Sequence, residues 1–92
     1  MIMQFKITLQ PCTKNRKLVA GMIETHKFFD LEALEKLLKK KFEKVTLHFE
    51  MGLINCKYGL MEITVFQNGN IIIKSAKDRK EIERVVKKIV ME

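Results

Sequence analysis

The chain has 92 residues, of which 47% are hydrophobic, and this length and composition suit one domain (residues 1–92) with a modest core. Its Lys and Arg residues number 18 against 11 Asp and Glu, which gives a formal net charge of +7. No apolar run approaches the roughly 20 residues that cross a bilayer, so we expect a soluble, cytoplasmic protein with no membrane partner.

The N-terminal half predicts one strand, one ambiguous segment and one helix. Apolar and polar residues alternate over Met3–Gln10, which predicts a half-buried strand that Pro11 ends. The short apolar segment Leu18–Thr25 is compatible with a strand or a turn. Asp30 is the predicted N-cap of an amphipathic helix over Leu31–Phe42, whose apolar residues recur at helical spacing.

The C-terminal half predicts three strands and a second helix. Alternation predicts strands over Val45–Glu50 and Tyr58–Phe66, separated by a connection that has room for an edge strand at Leu53 and Ile54. Asn68-Gly69 is a strong hairpin signal and predicts a tight turn with positive φ before a strand over Ile71–Ser75. The last helix is predicted to begin after Asp78 and to bury the stripe Ile82, Val85, Val86, Ile89 and Val90.

This pattern predicts an α+β fold in the order β-α-β-β-β-α, with Leu18–Thr25 left open. Both helices are expected to cover one face of an antiparallel sheet and to leave the other face open.

The segment from Met61 onward resembles one repeat of the TATA-binding protein. The resemblance rests on the pattern F-x-x-G-x-I-I-x-x-x-A-K followed by a helix, and its matching residues here are Phe66, Gly69, Ile71, Ile72, Ser75, Ala76, Lys77 and Glu81. It implies a TATA-binding-protein-like half-saddle. Because this chain has room for only one such repeat, a homodimer could rebuild a saddle-like continuous sheet and protect a sheet edge.

Period-2 alternation assigns side chains to the two faces of the predicted sheet. We expect the helix side to carry Met3, Phe5, Ile7, Leu9, Val45, Leu47, Phe49, Met61, Ile63, Val65, Ile71 and Ile73. We expect the open face to carry Gln4, Lys6, Thr8, Gln10, Thr46, His48, Glu50, Leu60, Glu62, Thr64, Phe66, Ile72 and Lys74. Glu50 and Glu62 would repel phosphates, which argues against minor-groove binding of the kind seen in the TATA-binding protein. We therefore expect Phe66 to cover a sheet edge or a dimer contact at the end of its strand, and not to insert between base pairs.

Two basic regions could contact phosphate without reading sequence. The first is the loop Lys14–Lys17, and the second combines Lys36, Lys39–Lys41 and Lys44 around the first helix. The candidate phosphate ligands are Lys14, Arg16, Lys17, Lys39, Lys40 and Lys74. A composition rich in Lys and Glu is also typical of hyperthermophile proteins, in which surface charges form ion-pair networks.

The two cysteines lack C-x-x-C spacing, so neither a disulfide framework nor a zinc knuckle is indicated. Cys12 precedes the basic loop, whose cations would lower its pKa, and it is the better candidate for a reactive thiol. Cys56 is predicted in a loop. Cys12, Cys56 and His48 are therefore the candidate ligands of a metal or redox site.

The sequence favours a small non-enzymatic binding module that engages RNA, DNA or an acidic protein through its basic loops and open sheet face. The alternatives are a metal or redox accessory protein that uses the cysteines, and a subunit or interaction domain of a larger assembly. No nucleophile–base pair or phosphate loop is visible, so neither enzymatic activity nor a cofactor is expected.

Overall fold

The computed structural model describes residues 6–11 and 17–90. The chain forms an α+β fold with a short 3₁₀ turn at Phe49–Met51. The strands are β1 (Lys6–Pro11), β2 (Val19–Glu24), β3 (Glu43–His48), β4 (Leu53–Tyr58), β5 (Met61–Phe66) and β6 (Asn70–Ala76), and the helices are α1 (Leu31–Lys41) and α2 (Arg79–Val90).

The strands form one antiparallel sheet in the order β1-β2-β6-β5-β4-β3, so β1 and β3 are its edges. Helix α1 packs over β3 and β4, whereas α2 packs over β6 and β2. Apolar residues of both helices share one buried cluster with Ile23, Ile54, Ile63, Ile71 and Ile73 of the sheet. The predicted α+β class, with helices on one face and an open face opposite, is therefore confirmed.

The predicted element order is wrong at one place, and the segment that it left open is a strand. The ambiguous segment is strand β2, and the predicted connection around Leu53 is strand β4, which lies inside the sheet between β3 and β5. Alternation misses β4 because Leu53 and Ile54 are both buried, although they face opposite sides of the sheet. The third predicted strand also began too early, since Tyr58 ends β4 and Gly59-Leu60 turns the chain into β5.

Three face assignments fail because those residues are not in strands. Phe49, predicted on the helix side, starts the 3₁₀ turn and is 67% exposed. Glu50, predicted on the open face, follows it in the same turn. Leu60 lies in the β4–β5 turn and is 79% exposed. The predictions for Met3, Phe5 and Gln4 lie outside the described residues.

Both helices begin at their predicted caps. The Asp30 carboxylate accepts a hydrogen bond from the Ala33 backbone N–H at 3.4 Å, and that of Asp78 accepts one from the Glu81 N–H at 2.9 Å. Helix α1 ends at Lys41, and Phe42 is its C-cap and not its last helical residue. The predicted apolar stripe of α2 is buried throughout.

The β5–β6 turn differs in detail from its prediction. Gly69 has the expected positive φ, 102°, but its N–H bonds to the Phe66 carbonyl at 3.0 Å, so Gln67 and Asn68 occupy the centre of the turn. A turn followed by a glycine with positive φ is a common alternative to the two-residue Asn-Gly turn.

Candidate binding face

The open face of the sheet carries an uncharged row of side chains that crosses all six strands. The strand register aligns neighbours in the order Thr8, Met22, Ile72, Thr64, Asn55 and Thr46, which we call the central row. Cross-strand neighbours in register have Cβ atoms about 5 Å apart, so these side chains form a continuous band. Met22 is 51% exposed despite being apolar.

A charged row runs beside the central row. Glu62 is in register with Lys57 on β4 and with Lys74 on β6, so the charges alternate in sign across the three strands. Alternation at this spacing lowers the repulsion between the two lysines.

The two rows line a shallow pocket of about 300 Å³ on the open face. Lys44, Lys57 and Lys74 contribute to its walls together with Asn55, Thr64 and Ile72. Within residues 6–11 and 17–90, none of the three lysines forms an ion pair. Unpaired cations around one concave site can attract a multivalent anion.

Two β-bulges shape the strands beside this pocket. Lys44 has a φ of 52° where β3 shifts register against β4 between Glu43 and Thr46. Ser75, which follows Lys74, has a φ of 66° where β6 and β2 shift register. Bulges commonly re-aim side chains next to functional sites, and the Lys44 bulge brings an edge-strand lysine into the wall of the pocket.

The polar floor of the pocket is ordered by one hydrogen bond. The Thr64 hydroxyl donates to the Asn55 side-chain oxygen at 2.9 Å. This bond fixes the orientation of the Asn55 amide and leaves its NH₂ group available as a donor to a bound acceptor.

A second depression of about 210 Å³ continues along the central row towards β1. Thr8, Gln10 and Met22 line it, and it shares Ile72 and Lys74 with the first pocket. The two depressions together form an open trough with its lysines at the β4 side and apolar surface at the β2 side.

The structure separates the phosphate-binding residues predicted from the sequence. Lys74 lies on the open face, but Lys39 and Lys40 lie on α1, where Lys39 pairs with Glu35 at 3.6 Å. Lys17 lies just before β2, and Lys14 and Arg16 fall outside the described residues. Lys44, predicted as part of the α1 basic region, belongs instead to the sheet face.

The other predicted open-face residues are on that face. Lys6 and Glu62 are exposed, and Thr64 and Ile72 are half-buried in the central row. Phe66 is the last residue of β5, is half-buried and lies in register with Leu53 on β4. His48 is the last residue of β3 and lies in register with Leu53 from the other side.

Two of the three candidate metal ligands, His48 and Cys56, do not converge. His48 is on the open face, whereas Cys56 is in register with Ile63 on the helix side, so the sheet separates them. Cys56 is buried in β4 and not in a loop, and burial raises the pKa of its thiol to about 11. Cys12 lies outside the described residues, and residues 6–11 and 17–90 contain no group of His, Cys, Asp or Glu residues arranged to hold a metal.

Sequence reasoning missed Lys57 and Asn55 as site residues. Both belong to β4, and the predicted connection there gave no reason to place them on a face. The alternation of Asn55, Lys57 and their buried neighbours Ile54 and Cys56 was the available signal.

Comparison of the chain with models of known protein families, with curated proteins and with solved structures found no match. No helix in the described part of the chain is both long enough and apolar enough to span a membrane.

Proposed function

We propose that this chain is a non-enzymatic binding module that holds nucleic acid on its open sheet face. The observation that carries the proposal is the convergence of Lys44, Lys57 and Lys74, without ion pairs among the described residues, on the pocket floored by Asn55 and Thr64. Phosphate groups are the anions that nucleic acids present in series, and Lys side chains bind them as point charges.

The trough suggests how the ligand would lie. Backbone phosphates would contact the lysines, while the less polar sugar and base surfaces would pack on Met22 and Ile72 of the central row. Phe66 is half-buried at a strand end and gives little area for base stacking. Affinity would therefore come mainly from phosphate contacts and would depend little on base sequence.

The acidic residues predicted on the open face would repel phosphates less in the folded chain than the sequence indicates. Glu50 lies in the 3₁₀ turn outside the strands, and Glu62 is in register with two lysines. The resemblance to a repeat of the TATA-binding protein stays part of this proposal. It is supported by the run of β5, glycine turn, β6 and α2.

The test compares two triple variants that remove the same charge from opposite sides of the molecule. Lys44→Gln, Lys57→Gln and Lys74→Gln together alter the sheet face, and Lys36→Gln, Lys39→Gln and Lys40→Gln together alter α1. Binding is measured by fluorescence anisotropy with labelled single-stranded DNA, single-stranded RNA and duplex DNA, and with polyglutamate as an acidic polymer.

We expect the sheet-face variant to lose at least about tenfold in affinity for nucleic acid and the α1 variant to lose less than about threefold. Equal losses would show that binding follows overall charge and not the proposed site. Absence of nucleic-acid binding at low salt, or binding to polyglutamate alone, would overturn the proposal. The difference between the DNA and RNA probes identifies the preferred polymer.

A further inference from the structure

The outer edge of β1 carries backbone groups that no described strand satisfies. Strand β1 pairs with β2 in unbroken register from Lys6–Glu24 to Pro11–Val19, and its other side is the end of the sheet. An edge of this kind is a template for another strand. Pro11, which lacks an N–H, limits such pairing to the residues before it.

The opposite edge of the sheet is protected. The bulge at Lys44 interrupts β3, and the exposed charges of Glu43 and Lys44 occupy its first positions. Bulges and charges on an edge strand prevent pairing with other chains. A β1-to-β3 contact between copies, which could continue into a filament, is therefore disfavoured.

The helix side of β1 is apolar and only partly covered. Ile7 and Leu9 lie on that side, and Leu9 is 38% exposed because α2 packs mainly over β6 and β2. The close approach of α2 to β2 is set by Gly21, where a Cβ atom would stand 2.8 Å from the Ile82 side chain.

We propose that β1 pairs antiparallel with β1 of a second copy of this chain, which joins the two sheets into one. In an antiparallel pair, opposite residues share a face, so only registers that set Thr8 against an open-face residue keep both faces continuous. The register that centres on Thr8 sets Ile7 against Leu9 of the other copy and Lys6 against Gln10. It brings apolar side chains together on the helix side and sets no like charges directly opposite each other.

This pairing makes the two central rows meet at Thr8 on the twofold axis. The inference rests on the edge and its side chains, and it stands whether or not the sheet face binds nucleic acid.

Disulfide trapping tests the register. In a background with Cys12→Ser, Thr8→Cys places two thiols directly opposite across the axis, and oxidation is expected to give a covalent dimer detected by mass spectrometry. Ile7→Cys and Leu9→Cys are the controls, because only registers shifted by two residues, with Thr8 opposite Lys6 or Gln10, would set either opposite itself. Efficient trapping by a control and not by Thr8→Cys would overturn the proposed register.

Sedimentation tests the interface without a cross-link. Leu9→Lys is expected to raise the dimer dissociation constant at least about tenfold, since both symmetry-related contacts with Ile7 are lost. The matched control is Leu60→Lys, the same change at an exposed turn, which is expected to leave the dimer unchanged. A wild-type chain that is monomeric at all concentrations, or equal weakening by both variants, would contradict the proposal. Circular dichroism verifies that each variant is folded.

Discussion

The Thr25 hydroxyl donates a hydrogen bond of 2.8 Å to the Gly69 carbonyl oxygen, although 44 residues separate the two in the sequence. The same oxygen accepts the Thr25 backbone N–H at 3.2 Å, and the Phe29 N–H donates to the Gln67 carbonyl at 2.9 Å. These bonds fasten the β5–β6 turn to the segment that leads into α1. The turn therefore links the centre of the sheet to the start of the helix layer.

Gly69→Ala is expected to destabilise the fold by about 2 kcal/mol or more, because its φ is positive and a Cβ atom would stand 2.5 Å from the Lys27 carbonyl oxygen. Gly59→Ala is the control, since Gly59 also has a positive φ but has open space at the Cβ position. We expect the control to cost about 1 kcal/mol from backbone strain alone. Urea unfolding gives both values, and equal losses would mean that the contact with Lys27 is not tight.

Ile73→Ala is expected to lower the free energy of unfolding by about 2–5 kcal/mol, because Ile73 is fully buried between the sheet and the helices. Ile72→Ala, one residue away, removes a half-buried side chain from the open face and is expected to cost much less. Chemical denaturation of both variants measures the difference. If the two substitutions cost the same, the sheet is covered on both faces and the binding-face proposal has to be withdrawn.

Cys56 is expected to resist thiol reagents in the folded protein at neutral pH. Its side chain is 3% exposed, and burial raises its pKa to about 11 from 9.0, so little thiolate forms. A colorimetric thiol assay with and without denaturant measures this, with Cys12→Ser as the background. Rapid modification without denaturant would show that β4 opens readily. Faster reaction at Cys12 than at Cys56 in the wild type stays a prediction.

The raised pKa of Cys56 makes the free energy of unfolding depend on pH. The folded state holds the Cys56 proton more tightly than the unfolded state, so this contribution to stability is complete below pH 9 and is lost as the pH rises from about 9 to about 11. Cys56→Ala is expected to flatten the fall in unfolding free energy over that interval. If the unfolding free energy of Cys56→Ala falls with pH as steeply as that of the wild type, other titrating groups cause the fall.

Regular alternation made part of the sheet predictable. Strand β5, and β6 from Asn70 to Lys74, alternate between buried and more exposed residues, so the faces of Ile71, Ile72 and Ile73 followed from the sequence. The helix caps at Asp30 and Asp78 were equally clear, because both side chains bond to the first turn as the pattern indicates.

The candidate site was not predictable to the same extent. Strand β4 does not show the alternating pattern at its start, because the adjacent apolar residues Leu53 and Ile54 are buried on opposite faces of the sheet. The position of Lys44 depends on a bulge in which its φ is positive. No short-range sequence pattern predicts a positive φ at a lysine there. The pocket needs residues from β3, β4, β5 and β6 in register, which only the sheet order supplies.

The central claim is that nucleic acid lies on the open sheet face and not on the helices, although α1 and α2 carry nine basic and four acidic residues. The most direct measurement is an NMR titration of the ¹⁵N-labelled protein with a single-stranded oligonucleotide at low salt. The account predicts the largest amide shift changes at Asn55, Lys57, Thr64 and Ile72, with small changes along both helices. Changes concentrated on α1 and α2, with the sheet face unaffected, would contradict it.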